Sequence, residues 1–185
     1  MGERRITTPF DDVLVESLTS GDRVLLSGTI YTGRDAAHKR LAELVAAGQP
    51  LPVDLSGQVI YYVGPTPAKP GRVIGSAGPT TSGRMDAYAP ALFALGLKGT
   101  IGKGLRSPEV VEAMRKHRAV YFGAVGGAAA LIARCIKQAR VTAYPELGPE
   151  AIYELQVADF PLTVINDCRG GDQYAAGRRA YACAP

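Results

Sequence analysis

The chain has 185 residues, 46% of them hydrophobic and 21% charged, which suits one folded domain with its own core and excludes a disordered or low-complexity chain. Twenty-one Lys and Arg against 17 Asp and Glu give a net charge of +4; basic residues form no dense run, and aromatics, at 7%, do not interleave with them, which argues against a nucleic-acid binder. No apolar run is long enough to span a membrane and "MGERRITTPFDD" lacks a signal-peptide core, so a cytoplasmic protein with no membrane contact is expected.

In chain order, "RVLLSGTIY" (23–31) reads as a strand. A helix follows in "TGRDAAHKRLAELVAAG", with Ala37, Leu41, Leu44 and Val45 on one face and Gly48 at C′. Thr32 and Asp35 have the spacing of a capping box. Arg34 then falls in the first turn and His38 one turn later on the same side. "QVIYYVGP" (58–65) and "RVIGSAG" (72–78) read as strands joined by a Pro/Gly-rich link too short for a crossover helix, which predicts a hairpin.

"GPTTSGR" comes next. Met85, Tyr88, Ala89, Leu92 and Leu95 recur at helical spacing, and Pro90 fits a first turn, so Asp86 is expected as N-cap with Thr80–Arg84 in the loop before it. "KGTIGKG" (98–104) reads as a short strand ending in a glycine-flanked lysine. Ser107-Pro108-Glu109 opens a helix with a cap, proline at N1 and an acid in the first turn. "AVYFGAV" is a strand, "GGAAALIARCIKQ" a helix, and "RVTAY" and "LTVIND" late strands. The expected fold is α/β: a single three-layer domain over residues 1–185 with a mixed sheet, its last ten or so residues a loose tail.

Three strand-to-helix junctions each carry a cation with small neighbours: Gly33-Arg34, Gly83-Arg84 and Gly102-Lys103-Gly104. Such junctions lie at the carboxyl ends of parallel strands, where ligands bind and helix N-termini present free N–H groups. Two guanidiniums can each grip a carboxylate with two bonds, and Lys103 adds a point charge. "GPTTSGR" lacks the spacing of a P-loop. The cysteines, Cys135, Cys168 and Cys183, are far apart and form no C-x-x-C pair, which argues against zinc and against a disulfide framework. Read singly, each cation also suits a solvated helix start, and pattern alone stops at an α/β domain with an anion site.

The motifs "TGRDAAHKR", "YYVGPTP", "GPTTSGRMDAY", "GKGLRS", "GAVGGAAAL", "YPELGPEAI" and "VADFPLTVIND" occur in that order. Together they resemble the β subunit, or C-terminal domain, of class I iron–sulfur fumarases and the related L-tartrate dehydratases. The resemblance implies a swivelling β/β/α domain and a hydro-lyase subunit, most simply hydrating fumarate to L-malate, with tartrate as the alternative acid. It implies a hetero-oligomer whose α subunit carries a [4Fe–4S] cluster, none being bound by this chain. It assigns the dicarboxylate to Arg34, Arg84 and Lys103, with the hydroxyls of the Thr80-Thr81 pair meeting the substrate. Thr80 is its candidate for proton transfer, and His38 a second.

Overall fold

The computed structural model describes residues 2–182. Seven strands form one sheet: β1 (Arg4–Thr7), β2 (Arg23–Thr32), β3 (Val59–Tyr61), β4 (Gly99–Gly102), β5 (Val120–Gly123), β6 (Ile136–Ala143) and β7 (Ile152–Asn166). From β2 to β5 each strand lies parallel to the next. β7 runs antiparallel to β5 along one stretch and to β2 along another, which closes β2-β3-β4-β5-β7 into a ring; β1 and β6 flank it. The mixed α/β reading holds, and closure places two strand layers beneath a helical one.

The alternation of side chains along the strands builds two cores. Val59, Tyr61, Val120, Phe122, Leu26, Phe160 and Val164 point into the ring. Ile60, Tyr62, Tyr121 and Ile165 point out, onto Leu41 of helix α2 (Asp35–Ala46), Leu92 and Phe93 of α3 (Ala89–Ala94), and Val110 and Met114 of α4 (Pro108–His117). Because β2 to β5 run parallel, their four carboxyl ends share one edge of the sheet.

Several local expectations are met. Ser107 caps α4 with Pro108 at its first turn, and Gly48 follows the end of α2 at φ +63°. Others are corrected. Residues 72–78 form no strand, and the predicted hairpin reduces to one residue's worth of pairing, Thr66 N–H to Ser76 O and Gly75 N–H to Thr66 O. Pro65, Pro67 and Pro70 carry no N–H to give to a ladder, and β3 pairs with β2 and β4 instead.

Thr32 does not cap α2. It is still in β2, and its hydroxyl donates to Ala151 O and accepts from Tyr153 N–H. Asp86 does not cap α3 either, since a 3-10 turn over Ser82–Met85 precedes that helix and Tyr88 stands at its N-cap. The helix after Gly127 stops at Cys135, where the chain enters β6 at the next residue. Short helices α1 (Asp12–Ser17) and α5 (Ala129–Cys135) set Val15 and Ile132 against the ring's interior. The stretch read as a loose tail is helical as far as Tyr181 (α6, Gln173–Tyr181), with Asp172 accepting from Tyr174 and Ala175 N–H; the last three residues lie outside the described ones. No helix among the described residues is long and apolar enough to cross a membrane.

Candidate functional site

The site begins where β3 and β4 part. Thr80 N–H donates to Tyr62 O, Lys103 N–H donates to Thr80 O, and Ser82 N–H donates to Lys103 O. Residues 80–82 are thus wedged, strand-like, between the continuations of β3 and β4, with Thr81 bridged to Lys103. A Cβ on Gly102 would come within 2.0 Å of Ser82 Oγ and 3.2 Å of Thr80 O, so the wedge requires glycine there. Beneath it, Ser82 Oγ donates to the Tyr121 hydroxyl at 2.9 Å, which donates on to Gly104 O at 2.9 Å. Burial raises the Tyr121 pKa, so this phenol stays protonated.

A second tie lies alongside. Asp86 accepts from Arg106 Nε at 2.7 Å and from Ser107 N–H at 2.6 Å. Arg106 also donates to Thr100 Oγ1 and lies over the rings of Tyr62 and Tyr121. A buried ion pair therefore joins the loop carrying Arg84 to the loop carrying Lys103.

The two arginines converge on one carboxylate. Arg84 donates Nε to Asp35 Oδ1 at 2.9 Å, with Nη2 2.7 Å from Oδ2. Arg34 Nε lies 3.9 Å from the same Oδ2 and Arg34 Nη2 3.5 Å from Glu150. The other oxygen of Glu150 accepts from Ala36 N–H at 2.9 Å, supplying from far along the chain the cap that Thr32 does not. Arg34 packs on bare backbone, since a Cβ on Gly64 would meet its Nη1 at 2.6 Å. The Arg84 side chain is 50% exposed and Arg34 only 23%. Thr81 and Lys103 are exposed and Thr80 half-buried. Sequence reasoning named the cations and missed Asp35, Glu150, Asp86 and Arg106 as their supports; the acids at helix starts were the available signal.

His38 is bonded to the Arg34 backbone but, unlike Arg34, Arg84 and Lys103, has no exposed surface. Its Nδ1–H donates to Arg34 O at 2.9 Å, and its Nε2 has no partner. Burial, and secondarily the Arg106 charge, push its pKa down to about 4 against the raising effect of the Arg34 bond, so the ring is neutral near pH 7.

Among the described residues no group of His, Cys, Asp and Glu could hold a metal ion. Cys168 is buried with its Sγ toward Val15 O, and Cys135 Sγ lies toward Asp159 O; Cys183 is outside the described residues. Two clefts of about 320 and 490 Å³, lined in part by residues 65–76, share no residue with the cations.

The chain is thus an α/β domain with a closed mixed sheet and a row of cations across the carboxyl ends of its parallel strands. A family model described as the fumarase C-terminus matches residues 6–177. The anaerobic class I fumarate hydratase of Escherichia coli K12 is 45% identical over 152 residues, and fumarate hydratase 2 of Leishmania major 43% over 157 residues. These matches take in 81% and 84% of the chain but only 28% of each relative. A putative L(+)-tartrate dehydratase subunit beta of Methanocaldococcus jannaschii is 39% identical over 86% of the chain and 85% of its own length. The chain belongs to the fumarase C-terminus family, the β-subunit-type domain of class I fumarate hydratases and tartrate dehydratases.

Proposed function

We propose that this chain is the dicarboxylate-clamping half of an iron–sulfur hydro-lyase that interconverts fumarate and L-malate in the cytoplasm as a hetero-oligomer. The observation that carries the reading is the convergence of Arg34 and Arg84 on Asp35 at the edge where Thr81 is bridged to Lys103, in a chain 45% identical to a fumarate hydratase. Tartrate is the second reading, favoured by the β-subunit relative that the chain matches over 85% of its length.

The described residues do not fit a [4Fe–4S] cluster, which needs several thiolates together. The cluster is therefore assigned to a partner chain, and Lewis acidity toward the leaving hydroxyl is the chemistry it supplies when bound. Binding and proton transfer fall to this chain. Asp35 engages Nε and Nη2 of Arg84, which leaves Nη1 and one Nη2 hydrogen for a substrate carboxylate. Removing the proton beside that carboxylate builds charge into it, and Arg34, Arg84 and Lys103 stabilise that charge without reorganising. Among the described residues Thr80 is held by its backbone, N–H to Tyr62 O and O from Lys103 N–H, and its hydroxyl is assigned to meet the substrate carbon with Lys103 as activator. Thr81 presents its hydroxyl at the same edge.

Anaerobic co-expression with cluster-bearing candidate partners, then assay on malate, fumarate and tartrate, tests the reading. Hydration of fumarate only by the pair is expected. Dicarboxylate binding by the chain without turnover in any pairing would replace the enzyme with a non-catalytic binding module.

A further inference from the structure

His38 has a costly environment. Its Nε2 is a buried acceptor that gives up hydration without a hydrogen bond in return. An apolar side chain of similar volume would avoid that cost. What it could not supply is the Nδ1–H bond to Arg34 O, the carbonyl that also accepts the His38 backbone N–H at 2.9 Å.

Three further neighbours of the ring, Gly33, Tyr62 and Tyr88, lead to the cation site. A Cβ on Gly33, the residue before Arg34, would lie 3.0 Å from His38 Cε1, so the ring rests against that backbone. Tyr62 meets the ring edge-on at 5.3 Å, and the Tyr62 carbonyl holds Thr80 N–H. Tyr88 lies tilted at 6.2 Å, and its N–H donates to Met85 O, next to Arg84 in the 3-10 turn. One side chain thus touches the supports of Arg34, Thr80 and Arg84.

We propose that His38 is a positioning residue: a buried neutral imidazole that fixes the Arg34 carbonyl and spaces the two loops carrying Arg34 and Thr80–Arg84, without exchanging a proton with substrate. The inference rests on the dicarboxylate-clamp reading. The ring has no exposed atom, and its one proton is committed to Arg34 O. The charged and titratable groups around it are Arg34 and Asp35 at the start of its own helix, Arg106 from the loop after β4, and the phenols of Tyr62 and Tyr88. The low pKa keeps it neutral across the range in which a hydro-lyase is assayed.

Two variants of the assembled enzyme separate the roles. His38→Asn can still donate an amide N–H to Arg34 O but cannot act as an acid–base group near neutrality. His38→Phe keeps a ring and loses the donor. Positioning predicts that His38→Phe raises the substrate KM about tenfold or more through misplaced loops. His38→Asn should recover most of that loss, with a pH–rate profile that superimposes on the wild type. Nitrogen-15 NMR of the lone chain should show a neutral imidazole with a slowly exchanging Nδ1 proton. A fall in kcat of roughly 10²–10⁴-fold in His38→Asn at unchanged KM would assign acid–base catalysis instead and overturn the inference. Unchanged kinetics in His38→Phe would overturn it too. If His38→Phe does not fold, the His38→Asn profile decides. A wild-type pair inactive on all three acids would remove the enzymatic reading, while the NMR signature would still judge the buried Nδ1–H bond.

Discussion

Asp86→Ala should destabilise the chain by about 3–5 kcal/mol, because it leaves a buried guanidinium without its counter-charge. The side chain of Arg106 is 0% exposed and that of Asp86 13%, so water cannot replace the lost carboxylate. Thr100 Oγ1 and the Tyr62 hydroxyl remain as acceptors, but neither carries charge. The same substitution strips Ser107 N–H of its partner at the start of α4. Against a stability on the order of 10 kcal/mol for a domain of this kind, the loss is a large fraction of the whole. A double variant, Arg106→Met with Asp86→Asn, removes the buried charge and keeps an acceptor for Ser107. It should lie much closer to wild type than Asp86→Ala. Urea unfolding of the lone chain, read as midpoints at constant slope, measures both. A cost below about 1 kcal/mol for Asp86→Ala would refute the argument that this pair locks the two loops.

Arg84→Ala in the assembled enzyme should lower turnover roughly 10²–10³-fold, as for loss of one preorganised donor, and Arg84→Lys should restore only part; near-normal turnover in a folded, assembled Arg84→Ala would remove the clamp. Thr80→Val should leave assembly intact and depress deuterium exchange at the substrate carbon roughly 10²–10⁴-fold, and unchanged exchange would take Thr80 out of that role. His38 gives a pH signature in stability alone. Its folded pKa is depressed to about 4 from 6.5, so the unfolded chain binds the proton first and stability falls as pH drops through that window. The loss, about 3 kcal/mol in all, should be missing from His38→Asn in a denaturation series at pH 7, 6, 5 and 4; parallel series would refute it. The groups facing the ring, Arg34, Asp35, Arg106, Tyr62 and Tyr88, are common to both proteins.

What was legible in the sequence was local. β2, β5 and the start of α4 follow from β-branched runs and from Ser107-Pro108-Glu109, signals that act within a few residues. The cations were legible because glycine beside a charge at a strand end is itself a local pattern. The errors have a common cause in partners that lie far along the chain. Thr32 looks like a cap until β7 takes its hydroxyl, and Asp86 looks like a cap until Arg106 takes its carboxylate. The second half of β6 is legible as the strand "RVTAY"; its first residues, 136–138, read into the preceding helix because the strand is largely exposed, carries no alternating core signal and is held by its ladder and the Arg140–Glu154 pair. The first half of β7 was hidden by Asp159 at φ +49° and by Pro161, both unusual within a strand. His38 could be placed on a helix face from its spacing, but its burial depends on Tyr62 and Tyr88 closing over it.

The ring closed by β7 has a consequence in time. β3, β4 and β5 meet neighbours that are near in sequence, whereas β2 must wait for residues 154–163 before its second edge is covered. Contacts spanning most of the chain are slow to form. During synthesis on the ribosome, β2 therefore emerges long before its antiparallel partner and presents an open edge, the kind of surface that chaperones shield. Glu150, which caps α2 and faces Arg34, sits just ahead of β7 and arrives with it. The most deeply set arginine of the clamp thus gains its final support only as the barrel shuts, so a half-made chain presents a half-made binding edge.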